Sequence, residues 1–372
     1  MKIRSLTAHA VEVPIRRELM ITSSLGSHRV SHPVLVRLET EDGVVGIGEA
    51  TVTPEWSGET AWGARALIDR CFAPVALGRR VDDVPALLAA LERAAVLNPF
   101  ARSAVEAAAL DAWGKTLRKP VFELLGGAVR DLRLPIRFSL AAAAPAAAAE
   151  NARRRVAWGH RTVKVKVGLD PAEDVERVAA VRDAIGPEIE LTVDANGGWS
   201  VDDAVWALRR MEPYRLLLAE QPVRREDLDG MAEVRRRIQV PVMADESVFT
   251  VWEAREALRR EACDLISVYP GKNGGLTVSR HIAELAAERG VACAVGSNLE
   301  LDPATAAMCH LSVCTPNVAA ERYHGDILGP LYHEASVAKD PVRLEGGFVH
   351  CPDGPGFGVE VAWTQVERLA LP

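Results

Sequence analysis

Charged residues recur at nearly constant spacing along the second half of this sequence. Each one ends or follows a short apolar segment, and from the second lysine onwards consecutive charges are 25 to 28 residues apart. They are Lys164, Lys166, Asp194, Glu220, Asp245 and Lys272. One strand and one helix fit into such an interval, so the spacing predicts that these side chains lie at equivalent heights around one ring.

The three carboxylates of this set, Asp194, Glu220 and Asp245, form an oxygen-only group of donors. Hard oxygen donors without histidine or cysteine favour Mg²⁺, or Mn²⁺, over zinc. The alternative is that each acid caps the helix that follows its strand. Because the acids occur in consecutive units and each ends an apolar segment, the pattern favours a metal site with room for a substrate carboxylate.

The lysines indicate proton transfer. In the segment 162–167, TVKVKV, alternation places Lys164 and Lys166 on one face and the valines on the other. The valines suit packing against helices, so the lysines are expected to face the interior, although an edge strand with two solvated lysines has the same pattern. Lys272 follows four strands later, and lysines facing each other across a ring can act on opposite faces of one carbon. Burial and neighbouring positive charge lower a lysine pKa and make the amine a usable base.

Short apolar segments alternate with helical patterns from residue 132 to residue 328, which is typical of βα units and a parallel sheet. The predicted strands are 133–140, 162–167, 189–195, 216–221, 240–246, 265–272, 291–297 and 318–326. Eight units favour an α/β fold of the closed (β/α)₈, or TIM-type, barrel over an open doubly wound sheet. A dinucleotide fold is disfavoured because no glycine-rich fingerprint opens the first helix.

The flanking regions do not follow this rhythm and predict an α+β capping domain. Residues 1–50 have the pattern of antiparallel strands, and residues 58–118 have that of helices. The clearest amphipathic helix is 103–117, with Ser103 as its cap. The predicted parts are a capping domain (1–125), a catalytic barrel (126–340) and a turn-rich tail (341–372) that completes the cap.

Composition excludes several classes of partner. The formal net charge is −7 and the arginines are interspersed with acids, so no nucleic-acid partner is expected. No stretch approaches the ~18 apolar residues that span a bilayer, and the N-terminus lacks the apolar core of a signal peptide, so no membrane partner is expected. The six cysteines form no CxxC pair and predict reduced thiols in a cytoplasmic protein.

Several short motifs surround the charged residues. They are GIGEA (46–50), KVK (164–166), VDANGGW (193–199), AEQPV (219–223), MADES (243–247), YPGKNGG (269–275) and GPGFGVE (354–360). As a set, and over the whole chain, they closely resemble the muconate lactonizing enzyme (muconate cycloisomerase) subgroup of the enolase superfamily, within the mandelate racemase/muconate lactonizing enzyme family. The histidine–aspartate pair of the mandelate racemase branch is missing, because the seventh strand ends in GSNLE (296–300) without a histidine.

The resemblance implies a role for each charged residue and for three others. The metal ligands would be Asp194, Glu220 and Asp245, with Asn196 and Gln221 beside them. The acid/base pair would be Lys166 and Lys272, with Lys164 as a neighbour that tunes Lys166. Asp326 would be the acidic residue at the end of the eighth strand. Muconate lactonizing enzymes have glutamate at the last of these positions. Because this sequence has aspartate there, the resemblance does not identify one particular substrate.

Two cap loops, 18–29 and 51–58, match the segments that cover the barrel mouth in this family. Candidates for substrate contact are Thr22, Ser23, Ser24, His28 and Arg29 on a distal carboxylate, Trp56 as an apolar wall, and Ser297, Asn298 and Glu300 after the seventh strand. Each of them could instead be an ordinary exposed loop residue.

Three reactions use the same metal and lysines, and all pass through an enolate of a small-molecule carboxylate substrate. Cycloisomerisation of a muconate-type diacid is favoured, because HGDILGP (324–330) is closest to that pattern. The alternatives are racemisation or epimerisation of dipeptides or N-modified amino acids, and syn dehydration of a small acid. A non-catalytic binding protein would have lost a ligand or a lysine, and this chain retains them all. A homo-oligomer is expected.

Overall fold

A curled sheet of seven parallel strands forms the barrel in the computed structural model, which describes residues 1–371. Numbered β1 to β7 in chain order, the strands are Phe138–Leu140, Thr162–Lys166, Glu190–Asp194, Leu216–Glu220, Val242–Ala244, Leu265–Val268 and Ala292–Val295. Neighbours in the sheet are neighbours in sequence, as successive βα units require. The ladder aligns Lys166 with Asp194 and Asp194 with Glu220, so these strand ends share one height.

The eighth predicted strand, 318–326, is not a regular strand, and this part of the prediction is wrong. The segment forms turns between two isolated parallel bridges, one from Val318 to Cys293 on β7 and one from Gly325 to Ile136 next to β1. These bridges lie between the two outer strands of the sheet and close the ring. The predicted (β/α)₈ barrel with a capping domain is therefore confirmed as the fold class.

A helix follows each strand and covers the outside of the barrel. Numbered α1 to α7, the helices are Pro145–Trp158, Pro171–Ile185, Val201–Met211, Leu228–Arg237, Val251–Arg259, Leu276–Ala287 and Asp302–Cys314. Four of them begin after a residue whose side chain accepts a first-turn N–H, namely Asp170, Ser200, Asp227 and Thr250. In residues 1–371, none of the helices is long and apolar enough to cross a membrane.

The cap is an antiparallel sheet packed on one long helix. Its sheet strands are Ile3–Ala10, Val34–Thr40 and Val45–Ala50, the long helix is Pro99–Leu117, and smaller elements are the hairpin Ile21–Ser23 with Gly26–His28 and the helices Pro54–Ser57, Ala61–Leu67, Ile68–Phe72, Ala73–Ala76 and Val84–Ala94. The predicted start of the long helix at Ser103 is wrong, since the helix begins at Pro99 and Ser103 is buried within it. The helix is buried on most sides because it lies between the sheet and the barrel, so it is not the amphipathic helix that was predicted.

Close packing of this helix on the sheet explains the glycines of GIGEA. A Cβ on Gly46 would lie 2.0 Å from the carbonyl oxygen of Ala108, and a Cβ on Gly48 would lie 1.9 Å from that of Ala104. Strand and helix therefore meet backbone to backbone, and a larger residue would force them apart.

Two buried cap carboxylates join the cap to the barrel. Glu49 accepts hydrogen bonds from the N–H groups of Leu301 at 2.7 Å and Ala304 at 3.0 Å, at the start of α7. Glu106 accepts from the N–H of Leu276 at 2.5 Å, at the start of α6. Carboxylates are stabilised at helix N-termini by free N–H groups and by the helix dipole. These contacts fix the cap over the C-terminal ends of the barrel strands.

The tail contacts both the barrel and the cap. Its elements are the strands Leu344–Glu345 and Phe348–His350 and the helix Trp363–Arg368. The strand hairpin pairs with Arg133–Pro135, ahead of β1. Farther along, the N–H of Phe357 donates to the carboxylate of Asp111, on the long cap helix, at 2.8 Å. The tail thus contacts residues of both predicted domains, and its assignment to the cap, like the division at residues 125 and 340, stays a prediction.

Candidate active site

A cavity of about 570 Å³ lies between the cap and the C-terminal ends of the barrel strands. The barrel contributes Ser139, Lys164, Lys166, Asp194, Asn196, Asp245, Ser297, Asn298 and Asp326 to its lining, and the cap contributes Ile21, Ser23, His28, Arg29, His32, Glu55, Trp56 and Trp62 among others. Barrel enzymes bind their substrates at this end of the strands, and a cavity of this size suits a small organic molecule.

The two lysines of β2 face the cavity floor, as alternation along the strand predicted, while Val163 and Val165 are buried on the other face. Lys164 Nζ lies 2.8 Å from Asp194, 2.7 Å from Glu220 and 3.1 Å from Asp326. Burial opposes its positive charge, but these carboxylates outweigh burial and raise the pKa of Lys164. Lys164 is therefore a permanent cation in this arrangement.

Lys166 lies two residues farther along β2, at the end of the strand. Its Nζ donates to Asp194 Oδ2 at 2.6 Å and to Asn196 Oδ1 at 2.7 Å, and its side chain is 12% exposed. An ammonium group held by two acceptors keeps a third hydrogen free for a ligand. Of the two β2 lysines, Lys166 is thus better placed to exchange a proton with a molecule in the cavity.

The three predicted metal ligands are all buried at the strand ends, but each is paired with a lysine. Asp194 accepts from both β2 lysines, Glu220 from Lys164, and Asp245 Oδ1 from Lys272 at 2.7 Å. In the described part of the chain, no three acidic, histidine or cysteine side chains converge closely enough to hold an ion as they stand.

The charges around these ligands are nevertheless unbalanced. Burial and the neighbouring Asp194 raise the pKa of Glu220, and burial and Asp245 raise the pKa of Glu246. Burial is the larger cause of both rises, and the neighbouring carboxylates add to it. The chemistry of the donors and the excess of negative charge both fit a hard divalent cation.

Lys272 does not reach the cavity. Its Nζ donates to Asp245 Oδ1 and to the carbonyl oxygens of Asp245 and Ser267, at 2.7, 2.9 and 2.6 Å. The side chain is completely buried, and all three ammonium hydrogens have acceptors. Lys272 is therefore not among the residues that line the cavity, and its predicted acid/base role opposite Lys166 stays a prediction. Its contacts instead hold the Asp245 loop against β6.

Arg137, which the sequence analysis missed, lies beneath the site. Its Nη2 donates to Glu220 Oε2 at 2.8 Å and to Asp326 Oδ2 at 2.6 Å, and it is 1% exposed. Asp326 also accepts from Ser139 Oγ at 3.2 Å. The signal was present: Arg137 and Ser139 alternate with apolar residues along the predicted strand 133–140, as the lysines do along β2.

Glu246 is a second residue that the motifs did not single out. Its Oε1 accepts from Asn196 Nδ2 at 2.7 Å and from Trp56 Nε1 at 3.1 Å, and its Oε2 has no partner among residues 1–371. Asn196 thus touches both Lys166 and Glu246, and Trp56 connects the cap to this group. Trp56 lines the cavity, where the sequence predicted an apolar wall.

Gln221 is buried and does not line the cavity. Its Oε1 accepts from the N–H groups of Asp245 at 3.0 Å and Ser247 at 3.1 Å, and its Nε2 donates to the carbonyl of Val223. It therefore fixes the loop that carries Asp245.

The predicted substrate loops are divided between the cavity and structural contacts. Thr22 bonds to Ser27 across the cap hairpin, and Ser24 Oγ donates to the carbonyl of Ala195 at 3.0 Å; neither is in the lining. Ser297 and Asn298 line the cavity, whereas Glu300 accepts from both and holds their loop in place.

Comparison with known proteins agrees with this architecture. Residues 5–126 match the family model for the mandelate racemase/muconate lactonizing enzyme N-terminal domain, and residues 147–365 match the enolase C-terminal domain-like model. Muconate cycloisomerase 1 of Rhodococcus opacus is 35% identical, over 99% of this chain and 98% of that protein. L-Ala-D/L-Glu epimerase of Bacillus subtilis is 32% identical, over 96% and 97%. The crystal structure of muconate lactonizing enzyme from Pseudomonas fluorescens with muconolactone superposes with a TM-score of 0.95 at 29% identity, covering 100% of this chain and 99% of that one. This chain is an enzyme of the isomerase type and belongs to the mandelate racemase/muconate lactonizing enzyme family of the enolase superfamily.

Proposed function

We propose that this enzyme is a magnesium-dependent cycloisomerase of unsaturated dicarboxylates of the muconate type. The observation that carries the proposal is the position of Lys166, which presents an ammonium group to the cavity and which Asp194 and Asn196 hold from behind. A reaction that needs one proton donor at one face of a carbon fits this arrangement. A racemase that uses two opposed lysines fits it less well, since Lys272 is not among the residues that line the cavity.

The residues that would hold the ion are Asp194, Glu220 and Asp245. They are buried carboxylates on consecutive strand ends, and the acids around them outnumber the cations, which supports Mg²⁺ or Mn²⁺ in preference to a softer metal. When bound, the ion would supply positive charge beside the substrate carboxylate and lower the energy of its enolate.

Lys166 would carry the proton. In cycloisomerisation, one carboxylate oxygen of the substrate adds to a carbon–carbon double bond of the same molecule, and negative charge moves onto the other carboxylate. Lys166 Nζ then donates a proton to the carbon next to that carboxylate and regains one from water. Lys164 keeps its own proton because carboxylates surround it, and its charge stabilises the enolate.

The distal carboxylate would bind at the cap. Arg29 is the cap arginine that lines the cavity, and His28 and His32 lie on the same wall. Glu55 is also there and would oppose a second negative charge, so a diacid binds on this wall only if it lies closer to Arg29 than to Glu55.

The test is turnover of cis,cis-muconate in D₂O, followed by loss of diene absorbance and by NMR of the product. We expect activity with Mg²⁺ or Mn²⁺, its loss on chelation, and deuterium at the carbon next to the carboxylate. Lys166→Met should lower kcat by about 10²–10⁴-fold, the usual contribution of a general acid. Lys339→Met, at a 60% exposed surface lysine, is the matched control and should leave kcat unchanged.

Two results would contradict the proposal. Full activity of metal-free protein would show that the reaction does not require the proposed magnesium ion. Exchange at the α-carbon of dipeptides or N-succinyl amino acids, with no lactone formed from muconate, would establish an epimerase or racemase in its place.

A further inference from the structure

Three side chains form a hydrogen-bonded row that begins at the cavity and ends in the protein interior. His28 Nε2 lies 2.9 Å from Ser31 Oγ, which lies 3.0 Å from His333 Nε2. At the far end, His333 Nδ1 lies 3.0 Å from the carbonyl oxygen of Gly329. His28 lines the cavity, whereas Ser31 and His333 are buried. Because the row ends at a carbonyl group, its donors and acceptors can be assigned in order.

The carbonyl end fixes the direction of every hydrogen bond in the row. A carbonyl oxygen only accepts, so His333 Nδ1 carries a hydrogen. Burial lowers the pKa of His333 to about 4, so this ring is neutral at neutral pH and its Nε2 is an acceptor. Ser31 donates its single hydroxyl hydrogen to His333 and therefore accepts from His28 Nε2. In neutral His28 the hydrogen is thus on Nε2, and Nδ1 has only a lone pair.

Neutral His28 is unable to bind a carboxylate in the cavity. Its Nε2–H is used by Ser31, and its Nδ1 has no hydrogen-bond partner among residues 1–371. A carboxylate offers only lone pairs, so an unprotonated Nδ1 repels it. A proton on Nδ1 turns the same atom into a charged donor. The row to His333 stays intact in that form, because Nε2 keeps its hydrogen.

The groups around His28 favour the neutral ring while the cavity is empty. Burial has the largest influence on the pKa of His28 and lowers it; the charge of Glu55 opposes burial, and His32 lowers the pKa further. Arg29 follows His28 in the chain and lines the cavity, and Arg16 lies at the buried end of the row. Both arginines disfavour another cation beside them. A bound carboxylate would supply the negative charge that reverses this balance.

We propose that His28 binds the distal carboxylate of the substrate as an imidazolium ion, and that the required proton enters at Nδ1 from solvent when the substrate binds. This proton is separate from the one that Lys166 delivers to carbon. Binding raises the pKa of His28, so the affinity is highest in acid and falls by about tenfold per pH unit as the pH rises between the two pKa values. The inference rests on the proposed function, because it needs a substrate with a second carboxylate.

Adipate and hexanoate measure this proton uptake without turnover. They are saturated acids of equal chain length, and only adipate has a second carboxylate. Calorimetric titration with Mg²⁺ present, in buffers of different ionisation enthalpy, gives the number of protons that each acid takes up on binding. At about pH 8 we expect adipate to take up about one proton more than hexanoate. Taking the difference cancels the protons that move at the metal ligands and at Lys166.

Three variants locate the extra proton. His28→Gln keeps an amide beside Ser31 and has no titrating group, so adipate and hexanoate should take up equal numbers of protons. Ser31→Ala keeps the imidazole but releases its Nε2, so a neutral ring can carry its hydrogen on Nδ1, and the extra uptake should fall below that of the parent. His281→Gln, at a 48% exposed histidine on α6, is the matched control and should keep the uptake of the parent.

The outcomes separate this inference from the proposed function. In an enzyme that converts muconate, adipate that fails to bind, or that takes up no more protons than hexanoate, makes the inference alone wrong. Extra uptake that persists in His28→Gln, or that is undiminished in Ser31→Ala, also overturns it. If muconate is not converted but adipate binds with the extra proton, the proposed function fails and His28 stands as a carboxylate site. If muconate is not converted and adipate does not bind, both are wrong.

Discussion

Replacing Arg137 with leucine tests the buried charges beneath the cavity. Arg137 is 1% exposed, and without it Glu220 and Asp326 would share Lys164 as their remaining close cation. Breaking a buried ion pair from one side costs about 3–5 kcal/mol of folding free energy, because the partner's charge stays buried without compensation.

The pKa of Asp326 gives an independent measure of the same effect. Burial opposes its ionisation, but Arg137 and Lys164 outweigh burial and hold the pKa at about 2. Compared with about 3.9 in an unfolded chain, this corresponds to about 2–3 kcal/mol of stability. That contribution is complete above a pH of about 4 and is lost as the pH falls towards the folded-state pKa. Both measures predict a loss of a few kcal/mol in Arg137→Leu at neutral pH.

The loss should depend on pH in a defined direction. Without Arg137, burial dominates and raises the pKa of Asp326 above its value in the parent. Asp326 of the variant then takes up a proton at a higher pH than in the parent, which relieves the buried charge. The difference in stability between parent and variant should therefore be largest at neutral pH and smaller in mild acid.

Urea unfolding followed by circular dichroism, with a chelator present throughout, measures this difference. Arg153→Leu is the control, because Arg153 pairs with Glu150 at the surface, where the side chains are 58% and 53% exposed. Such a pair contributes about 0–1 kcal/mol. A loss in Arg137→Leu no larger than in the control, or one that is constant with pH, would refute the reasoning.

Two further predictions concern the cap. Glu106→Gln turns an amide NH₂ towards the N–H groups of Leu276 and Thr277, so we expect a loss of about 1–3 kcal/mol in urea unfolding, and an unchanged stability would contradict the cap-to-barrel contact. Arg29→Gln should raise KM for a dicarboxylate about tenfold with a smaller effect on kcat, because an exposed cavity cation contributes to binding more than to chemistry. Arg93→Gln, an exposed arginine on Val84–Ala94, should leave KM unchanged, and equal effects in both variants would exclude Arg29 from substrate binding.

The sequence was sufficient for the parts of the site that lie on regular strands. The constant spacing predicted that Lys166, Asp194 and Glu220 share one height, and the alternation in β2 predicted that Lys164 faces the same way as Lys166, because strand geometry fixes which way each side chain points. The same alternation applied to the predicted strand 133–140 would have found Arg137.

Beyond the strand ends, alternation no longer predicts the direction in which a side chain points. Lys272 lies in the short helix Pro270–Asn273, so its direction depends on a backbone turn that alternation does not describe. The loop residues Ser24 and Glu300 were correctly placed near the site, but their partners are backbone groups and side chains of other segments, which one sequence does not identify. The prediction of the eighth strand was wrong for a related reason, because turns replace most of the hydrogen bonds that a regular strand would make to its neighbours.

A continuous set of hydrogen bonds connects the cap to the proposed proton donor. Trp56 Nε1 donates to Glu246, Asn196 donates to the same oxygen of Glu246, and Lys166 donates to Asn196. The indole of Trp56 also stacks on the ring of Tyr269, so this cap residue packs against the end of β6 as well. A shift of the cap would therefore disturb Asn196, which holds the Lys166 ammonium. The precision of the barrel site therefore depends on the cap, because Glu49 and Glu106 fix the cap in place through the N-termini of α7 and α6.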